Sequence, residues 1–179
     1  MTVSELPTID LPSSAIDAAT AHLRDVLAIA LEHGPQQRAL VVFDTRTGLA
    51  RALVEAYRRN LLDADFIDFD SVDASMVLSA FRSYAPGDLV VLVQSSNFRL
   101  DGFRLRVELF KLGLKVIEHV HLSRMPGAQG AHYIESLAYD PAYFRGVGKA
   151  LKARIDAASG ARVCGGGETL VFASAFEPA

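Results

Sequence analysis

The sequence predicts an α/β domain whose mainly parallel, four-stranded sheet is flanked by helices and followed by a C-terminal β-hairpin. Three observations support this prediction. Short apolar runs alternate along the chain with longer segments in which apolar residues recur at helical spacing. The apolar runs are unbroken, as in strands that are covered on both faces. Near the C-terminus, a glycine triplet separates two short segments of β character, which is typical of a hairpin.

Four apolar runs are the predicted strands of the sheet. They span Ala39 to Phe43, Phe66 to Phe69, Leu89 to Gln94 and Leu114 to His121. Because helical segments separate them, we expect parallel βαβ connections with right-handed crossovers. This alternation predicts a Rossmann-like or flavodoxin-like sheet.

Apolar residues at helical spacing mark the helices. Ser13 and Ser14 are the expected N-caps of the first helix, which Gly34 and Pro35 end. Ser123 to Gly130 is polar and is predicted to be a loop. The other predicted helices span Gly48 to Asn60, Asp73 to Tyr84, Leu100 to Leu112 and Pro141 to Ser159.

The chain divides by prediction into an α/β domain, residues 1–160, and a hairpin, residues 161–179. The hairpin strands are Arg162 to Cys164 and Thr169 to Ala173, joined by Gly165 to Gly167. No later element would cover the edge or the apolar face of this hairpin. We therefore interpret it as the start of a second domain, although a hairpin that folds back onto the sheet fits the same pattern.

Composition excludes several classes of protein. A chain of 179 residues suits one domain with a substantial core, and a net charge of -3 gives no broad attraction for nucleic acid or anionic lipid. The single cysteine, Cys164, forms no internal disulfide, and Met1 to Leu11 lacks the pattern of a signal peptide. Apolar runs such as Leu89 to Val93 are too short to cross a bilayer, which takes roughly 20 helical residues. We expect a cytoplasmic protein without nucleic-acid or membrane partners.

The loops that follow the strands are the expected ligand site, because open α/β sheets bind ligands at the carboxyl ends of their strands. These segments, which should converge, are Asp44 to Gly48, Asp68 to Ser71, Gln94 to Arg99 and Glu118 to His121. The first and third combine hydroxyl, amide and guanidinium groups with helix N-termini, which attract anions. The predicted ligand-binding residues are Asp44, Thr45, Arg46, Ser95, Ser96, Asn97 and Arg99.

A simpler interpretation of the same loops is that their polar residues only cap helices. Side chains such as Asp44, Thr47, Ser96 and Asn97 are common N-caps. The sequence contains neither a P-loop nor a G-x-G-x-x-G motif that would point to a nucleotide. Both interpretations remain open at this point.

No catalytic residue and no metal ligand is predicted. His119 and His121 would project from one face of a strand, with His132 as a distant third ligand, but no fourth ligand is evident. Cys164 lies in an apolar, glycine-flanked strand, where a thiol acts as a small hydrophobe. The serines after the third strand, Ser95 among them, lack the G-x-S-x-G elbow of a hydrolase nucleophile.

The last third of the chain resembles a known family. The stretch YIESLAYD (Tyr133 to Asp140) precedes a long helix from Pro141 to Ala158, then ARVC (Ala161 to Cys164) and GGETLVF (Gly166 to Phe172). In this order the segments resemble the N-terminal domain of the aminopeptidase T-like metallopeptidases, a leucyl aminopeptidase family. In that family a helix of this kind precedes a strand, a glycine-threonine turn and a second strand that opens the catalytic domain.

The resemblance implies a non-catalytic domain that serves as scaffold, dimerisation surface or active-site cover. The family places its paired-metal ligands in the domain that follows, so it implies no catalytic residue and no cofactor in this chain. A divalent metal is expected only if a second domain follows, and we expect a homo-oligomer. Two alternatives remain open: a free-standing domain that binds a small anionic ligand at the strand-end loops, and a protein interaction module.

Overall fold

The computed structural model describes residues 11–98 and 105–175. It consists of two compact units, the first of which ends at Ala138 while the second begins at Tyr139. In the described part of the chain, no helix has the length and apolar character that a membrane span requires.

The first unit is built on an all-parallel, four-stranded sheet with the strand order β2-β1-β3-β4. Its strands are β1 (Ala39–Phe43), β2 (Asp65–Asp68), β3 (Leu89–Val93) and β4 (Lys115–His119). Phe43 is in register with both Asp68 and Val93, and Val93 with His119, so all four carboxyl ends meet at one edge. The predicted Rossmann-like α/β sheet is confirmed.

The central strands β1 and β3 are buried along their whole length, as their unbroken apolar sequences predict. The edge strands end differently from their predicted bounds. Phe69 leaves β2 and begins a 3₁₀ turn, Phe69–Ser71, and β4 stops at His119 because His121 adopts a left-handed backbone with φ of 56°. Such a conformation cannot continue a strand.

Helices cover both faces of the sheet. They are α1 (Ser13–Asp25), α2 (Gly48–Asn60), α3 (Ala74–Arg82), α4 (Leu105–Lys111) and α5 (Ala128–Glu135), with a π-helical turn, Val26–Ala30, after α1. One core joins α1, α2 and α5 to the face that carries Val41 and Val91. A second core joins α3 and α4 to the face that carries Leu40, Val42 and Leu92. The sheet is therefore the middle of three layers.

Three local predictions need correction. Ser13 and Ser14 do not cap α1, because its N-cap is Pro12 and no side chain completes the cap. The predicted loop from Ser123 to Gly130 is partly helical, since a 3₁₀ turn, Leu122–Arg124, includes its first two residues and α5 begins at Ala128. Few apolar positions define α5, and its buried face depends on contacts with distant residues. Of the predicted helix Leu100 to Leu112, residues 100–104 lie outside the described residues.

The second unit consists of one helix and one hairpin. These are α6 (Pro141–Asp156) and the antiparallel strands β5 (Ala161–Gly165) and β6 (Glu168–Phe172), which confirms the predicted hairpin. Pro141 occupies the first helical turn as predicted, and the carboxylate of Asp140 caps the helix by accepting from Tyr143 N at 3.1 Å. Gly166 and Gly167 form the turn with φ of 58° and 83°, a pair of left-handed conformations that favours glycine at both positions.

Truncation of Leu53 in α2 should destabilise the first unit, because this side chain is fully buried in the core against β1 and β3. We expect Leu53→Ala to lower the free energy of unfolding by about 2–5 kcal/mol in urea titrations followed by circular dichroism. Leu62, which is 84% exposed, supplies the matched control. Leu62→Ala should change the free energy by less than about 0.5 kcal/mol, and equal effects of the two substitutions would contradict the described core.

Candidate functional site

The point where the sheet changes direction lies between β1 and β3. The chain leaves β1 for α2 on one face of the sheet, and it leaves β3 toward α4 on the opposite face. The two loops that follow these strands therefore diverge and leave a crevice between them. In open α/β sheets such a crevice is the usual place for a ligand.

Asp44 connects the two loops at this crevice. Its side chain is fully buried, and its carboxylate accepts hydrogen bonds from the backbone N–H groups of Ser95 at 2.8 Å and Arg46 at 3.2 Å. A buried carboxylate is costly unless such bonds compensate for lost water. The sequence-predicted residues Asp44, Arg46 and Ser95 are thus brought together, and Asp44 joins the loops instead of capping a helix.

Two hydroxyl groups meet beside Asp44. The Oγ1 of Thr47 and the Oγ of Ser95 lie 3.1 Å apart, and Thr47 Oγ1 also accepts from Ala50 N at 3.1 Å. Thr47 is therefore the N-cap of α2, as the capping interpretation predicts. The preceding N–H groups of the helix, those of Gly48 and Leu49, have no intrahelical partner because they belong to its first turn. The hydroxyl pair thus lies at the electropositive end of α2.

Arg46 links three of the four strand-end loops. Its guanidinium donates to both carboxylate oxygens of Asp70, with Nε to Oδ2 at 2.8 Å, and its Nη1 donates to Ser96 Oγ at 3.3 Å. The hydrogen bonds that Arg46 donates to the Asp70 carboxylate raise the pKa of Arg46. Because the Arg46 side chain is 54% exposed, this ion pair is accessible to solvent and to a competing anion.

The remaining predicted site residues divide into two groups. Thr45 and Asn97 are exposed at the same edge of the sheet, in the loops after β1 and β3. Arg99 lies outside the described residues. The carbonyl of Thr45 accepts from Arg51 Nη1 at 2.7 Å, which positions the first loop over the start of α2.

Sequence reasoning missed a buried cluster of two tyrosines and one histidine. The ring nitrogens of His119, at the end of β4, lie 2.8 Å from the hydroxyl of Tyr57 (Nε2) and 2.6 Å from that of Tyr133 (Nδ1). The expectation that His119 and His121 project from one face of a strand is wrong, because His121 lies beyond β4 in a left-handed conformation. Helical spacing predicts the burial of Tyr57 on α2, but it does not predict the hydrogen bond of Tyr57 to His119, which is 62 residues away.

Burial decides the protonation of this cluster. It lowers the pKa of His119 to about 4 and raises that of Tyr133 to about 12. A neutral imidazole has one donor and one acceptor nitrogen. Tyr57 is fully buried, so its hydroxyl donates to Nε2 of His119. The Nδ1–H of His119 then donates to the Tyr133 hydroxyl. The hydrogen of that hydroxyl can reach solvent, because Tyr133 is partly exposed. We infer this tautomer because it leaves no buried hydrogen unpaired.

Other candidate ligand groups are dispersed. Among the residues that the structure describes, no three His, Cys, Asp or Glu side chains are grouped so as to hold a metal ion. Cys164, predicted to act as a small hydrophobe, is exposed on the hairpin, where Thr169 Oγ1 donates to its sulfur at 3.6 Å. The convergent polar groups of the first unit therefore remain those of the crevice.

Comparison of the chain with protein-family models, curated proteins and solved structures finds no match. The resemblance to the aminopeptidase T-like family stays a prediction. The crevice between the loops after β1 and β3 has to be interpreted from its own geometry.

Acid should destabilise the first unit through His119. The unfolded imidazole has a pKa near 6.5, whereas the buried one has a pKa of about 4. Above pH 6.5 both states are neutral, and below it the unfolded state binds a proton that the folded state excludes. We expect the contribution of His119 to reduce the free energy of unfolding by about 3 kcal/mol between pH 6.5 and 4, measured in urea titrations across this range.

His119→Phe should flatten this pH dependence, even though the loss of two hydrogen bonds lowers stability at neutral pH. His132, exposed on α5, supplies the control, since His132→Phe removes a histidine that remains in contact with water. The control should keep the wild-type slope. A wild-type slope in His119→Phe would show that another group causes the acid sensitivity.

Proposed function

We propose that the first unit binds a small molecule through an anionic group, a phosphate or a carboxylate, in the crevice between the loops after β1 and β3. The observation that supports this most is the hydroxyl pair of Thr47 and Ser95 at the start of α2. Hydroxyl donors and free backbone N–H groups at a helix N-terminus are the groups that bind such anions in α/β proteins.

Asp44 gives this arrangement its rigidity. Because its carboxylate accepts from Ser95 N and Arg46 N, the two loops cannot separate without leaving a buried charge uncompensated. A crevice whose walls are fixed in this way loses little conformational entropy when a ligand enters. Asp44 is therefore a positioning residue whose own oxygens are occupied by the protein.

Arg46 supplies the cation nearest to the hydroxyl pair along the chain. Its guanidinium is held by Asp70 and Ser96. An incoming anion competes with the exposed carboxylate of Asp70, which is a weaker obstacle than a buried ion pair would be. We expect Asp70 to weaken anion binding and Arg46 to strengthen it.

Titration with inorganic phosphate and with a small phosphomonoester, followed by amide NMR shifts, tests this function. We expect saturable shifts concentrated at residues 45–49 and 95–97, weakened severalfold by Arg46→Gln. The matched control is Arg38→Gln, because Arg38 pairs with Asp65 at 3.0 Å at the opposite ends of the strands with similar exposure. Asp70→Asn should tighten binding severalfold, since it removes a carboxylate that holds the guanidinium of Arg46.

Two results would reject a site at this crevice. One is an absence of saturable shifts at residues 45–49 and 95–97 for both probes. The other is equal weakening by Arg46→Gln and Arg38→Gln, which would indicate general charge attraction. Small carboxylates titrated in the same way distinguish a phosphate site from a carboxylate site.

A second candidate function is that of a non-catalytic domain of an aminopeptidase T-like protein, acting as scaffold, dimerisation surface or active-site cover. The order of elements in the second unit supports it, because α6 is followed by β5, a glycine turn and β6. This is the order that the resemblance implies for the junction with a catalytic domain. In this proposal the metal site belongs to a domain outside the 179 residues of the chain.

On this second candidate, the 179-residue chain should hydrolyse no amino-acid p-nitroanilide, even with added cobalt, zinc or manganese. Metal-assisted hydrolysis needs a fixed set of ligands that lowers the pKa of a bound water and polarises the carbonyl group. The assay compares the purified chain with a chain carrying His119→Phe and with a metal-free blank. Metal-dependent turnover that this substitution abolishes would place an active site within the chain and contradict the scaffold role.

A further inference from the structure

The described residues of the second unit, 139–175, enclose no interior of their own. Every described residue of α6 is exposed or half-exposed, and so are both strands of the hairpin. Nine large apolar side chains are between 41% and 60% exposed: Tyr143, Phe144, Val147, Leu151, Ile155, Val163, Leu170, Val171 and Phe172. Proteins that act as monomers rarely expose so much apolar surface in one short stretch of chain.

The exposed side chains form two ordered surfaces. On α6, Tyr143, Val147, Leu151 and Ile155 recur every fourth residue and form one stripe. On the hairpin, Val163 pairs with Leu170, and Phe172 lies on the same face because strand side chains alternate. We call these the helix stripe and the hairpin face.

From these surfaces we propose that the second unit is a self-association surface, and that its occupant is the second unit of another copy of this chain. Val171 lies on the opposite face of the hairpin. If each of the other eight side chains presents about 150 Å² when fully exposed, together they offer roughly 600 Å². Specific interfaces bury about 600–1,000 Å² per partner, so the available area reaches the lower end of what a stable dimer needs. This proposal is independent of the ligand site in the first unit.

The helix stripe is complementary to itself. When two copies of α6 pack antiparallel about a two-fold axis between Val147 and Leu151, Tyr143 faces Ile155 of the partner subunit and Val147 faces Leu151 of the partner subunit. Helical spacing places Arg145 and Lys149 on the side away from the stripe, so this packing brings no like charges together. A two-fold axis needs one patch that fits itself, and the helix stripe has this property.

Aromatic anchors lie at one end of the stripe. The ring of Phe144 stacks on Tyr139 with centroids 5.6 Å apart and meets Tyr143 edge-on at 5.2 Å. In the antiparallel packing, Arg154 comes next to Phe144 of the partner subunit, where its guanidinium can lie over the ring. Rigid aromatic side chains and arginine dominate the binding energy of protein interfaces.

A lipid surface is the competing occupant. Membrane-binding helices combine an apolar face with a polar face rich in lysine and arginine. The charged residues of α6 are four basic ones and one acidic one, Asp156, which pairs with Lys152 at 3.0 Å, whereas the hairpin strands carry one residue of each sign, Arg162 and Glu168. Anionic phospholipid would therefore attract the helix but not the hairpin, whereas a second copy of the chain covers both apolar surfaces.

Sedimentation velocity and light scattering of the full 179-residue chain, from about 1 to 200 μM, test the proposal. We expect a monomer–dimer equilibrium in this range. Leu151→Glu in the helix stripe and Leu170→Glu in the hairpin face should each weaken dimerisation at least tenfold. Leu62→Glu, which changes an 84% exposed leucine of the first unit, should leave the dissociation constant unchanged.

A further variant separates loss of the interface from loss of the helix. Val147→Ala shortens a stripe residue but raises intrinsic helix propensity, so it should weaken the dimer severalfold while circular dichroism shows no loss of helix. Three results would overturn the proposal: a monomer at all concentrations, a dimer that neither glutamate substitution weakens, or a monomer in solution that binds vesicles of anionic phospholipid through the second unit.

Discussion

The structure of the first unit depends on the pairing of β1 with β3. All residues of both strands are buried, so the apolar side chains on both faces of this pair must be covered. A single layer of helices could cover only one face. The chain therefore needs helices on each side of the sheet, and the two cores that α1, α2 and α5 form on one side and α3 and α4 on the other follow from this requirement.

The same burial draws polar side chains into the interior at the strand ends. Asp44, Gln94 and Ser95 follow the buried strands β1 and β3, and His119 ends the half-buried β4; each of the four is almost inaccessible to solvent. Each therefore needs partners within the protein. Gln94 Oε1 accepts from Phe98 N at 2.9 Å, and its Nε2 donates to Glu118 at 3.2 Å. This network fixes the loops relative to one another, so the crevice is a direct consequence of the buried strands.

The sequence predicts the parts of this architecture that depend on neighbouring residues. An unbroken apolar run identifies β1, and helical spacing identifies α2 with its cap at Thr47. Burial of an entire strand also predicts that polar residues after it converge at one edge, which is why Asp44 and Ser95 could be grouped as a site in advance.

The features that the sequence did not predict depend on distant residues. Arg46 and Asp70 are 24 positions apart, and His119 and Tyr57 are 62 apart, so neither pairing has a periodic signal. The boundary of β4 differs from the prediction for a related reason, since the left-handed backbone of His121 belongs to the turn into the 3₁₀ segment, which has no periodic signal.

The second unit differs from the first in what stabilises it. A two-stranded hairpin is at best marginally stable in water, and an isolated helix of the length of α6, 16 residues, is close to marginal. Helix capping by Asp140 and the glycine turn of the hairpin favour these elements locally, but such contributions are small. Burial of the helix stripe and the hairpin face would stabilise this unit more than its local interactions do. Under the proposed self-association, burial by the second copy would stabilise only the ordered state, and folding of the second unit would be thermodynamically coupled to association.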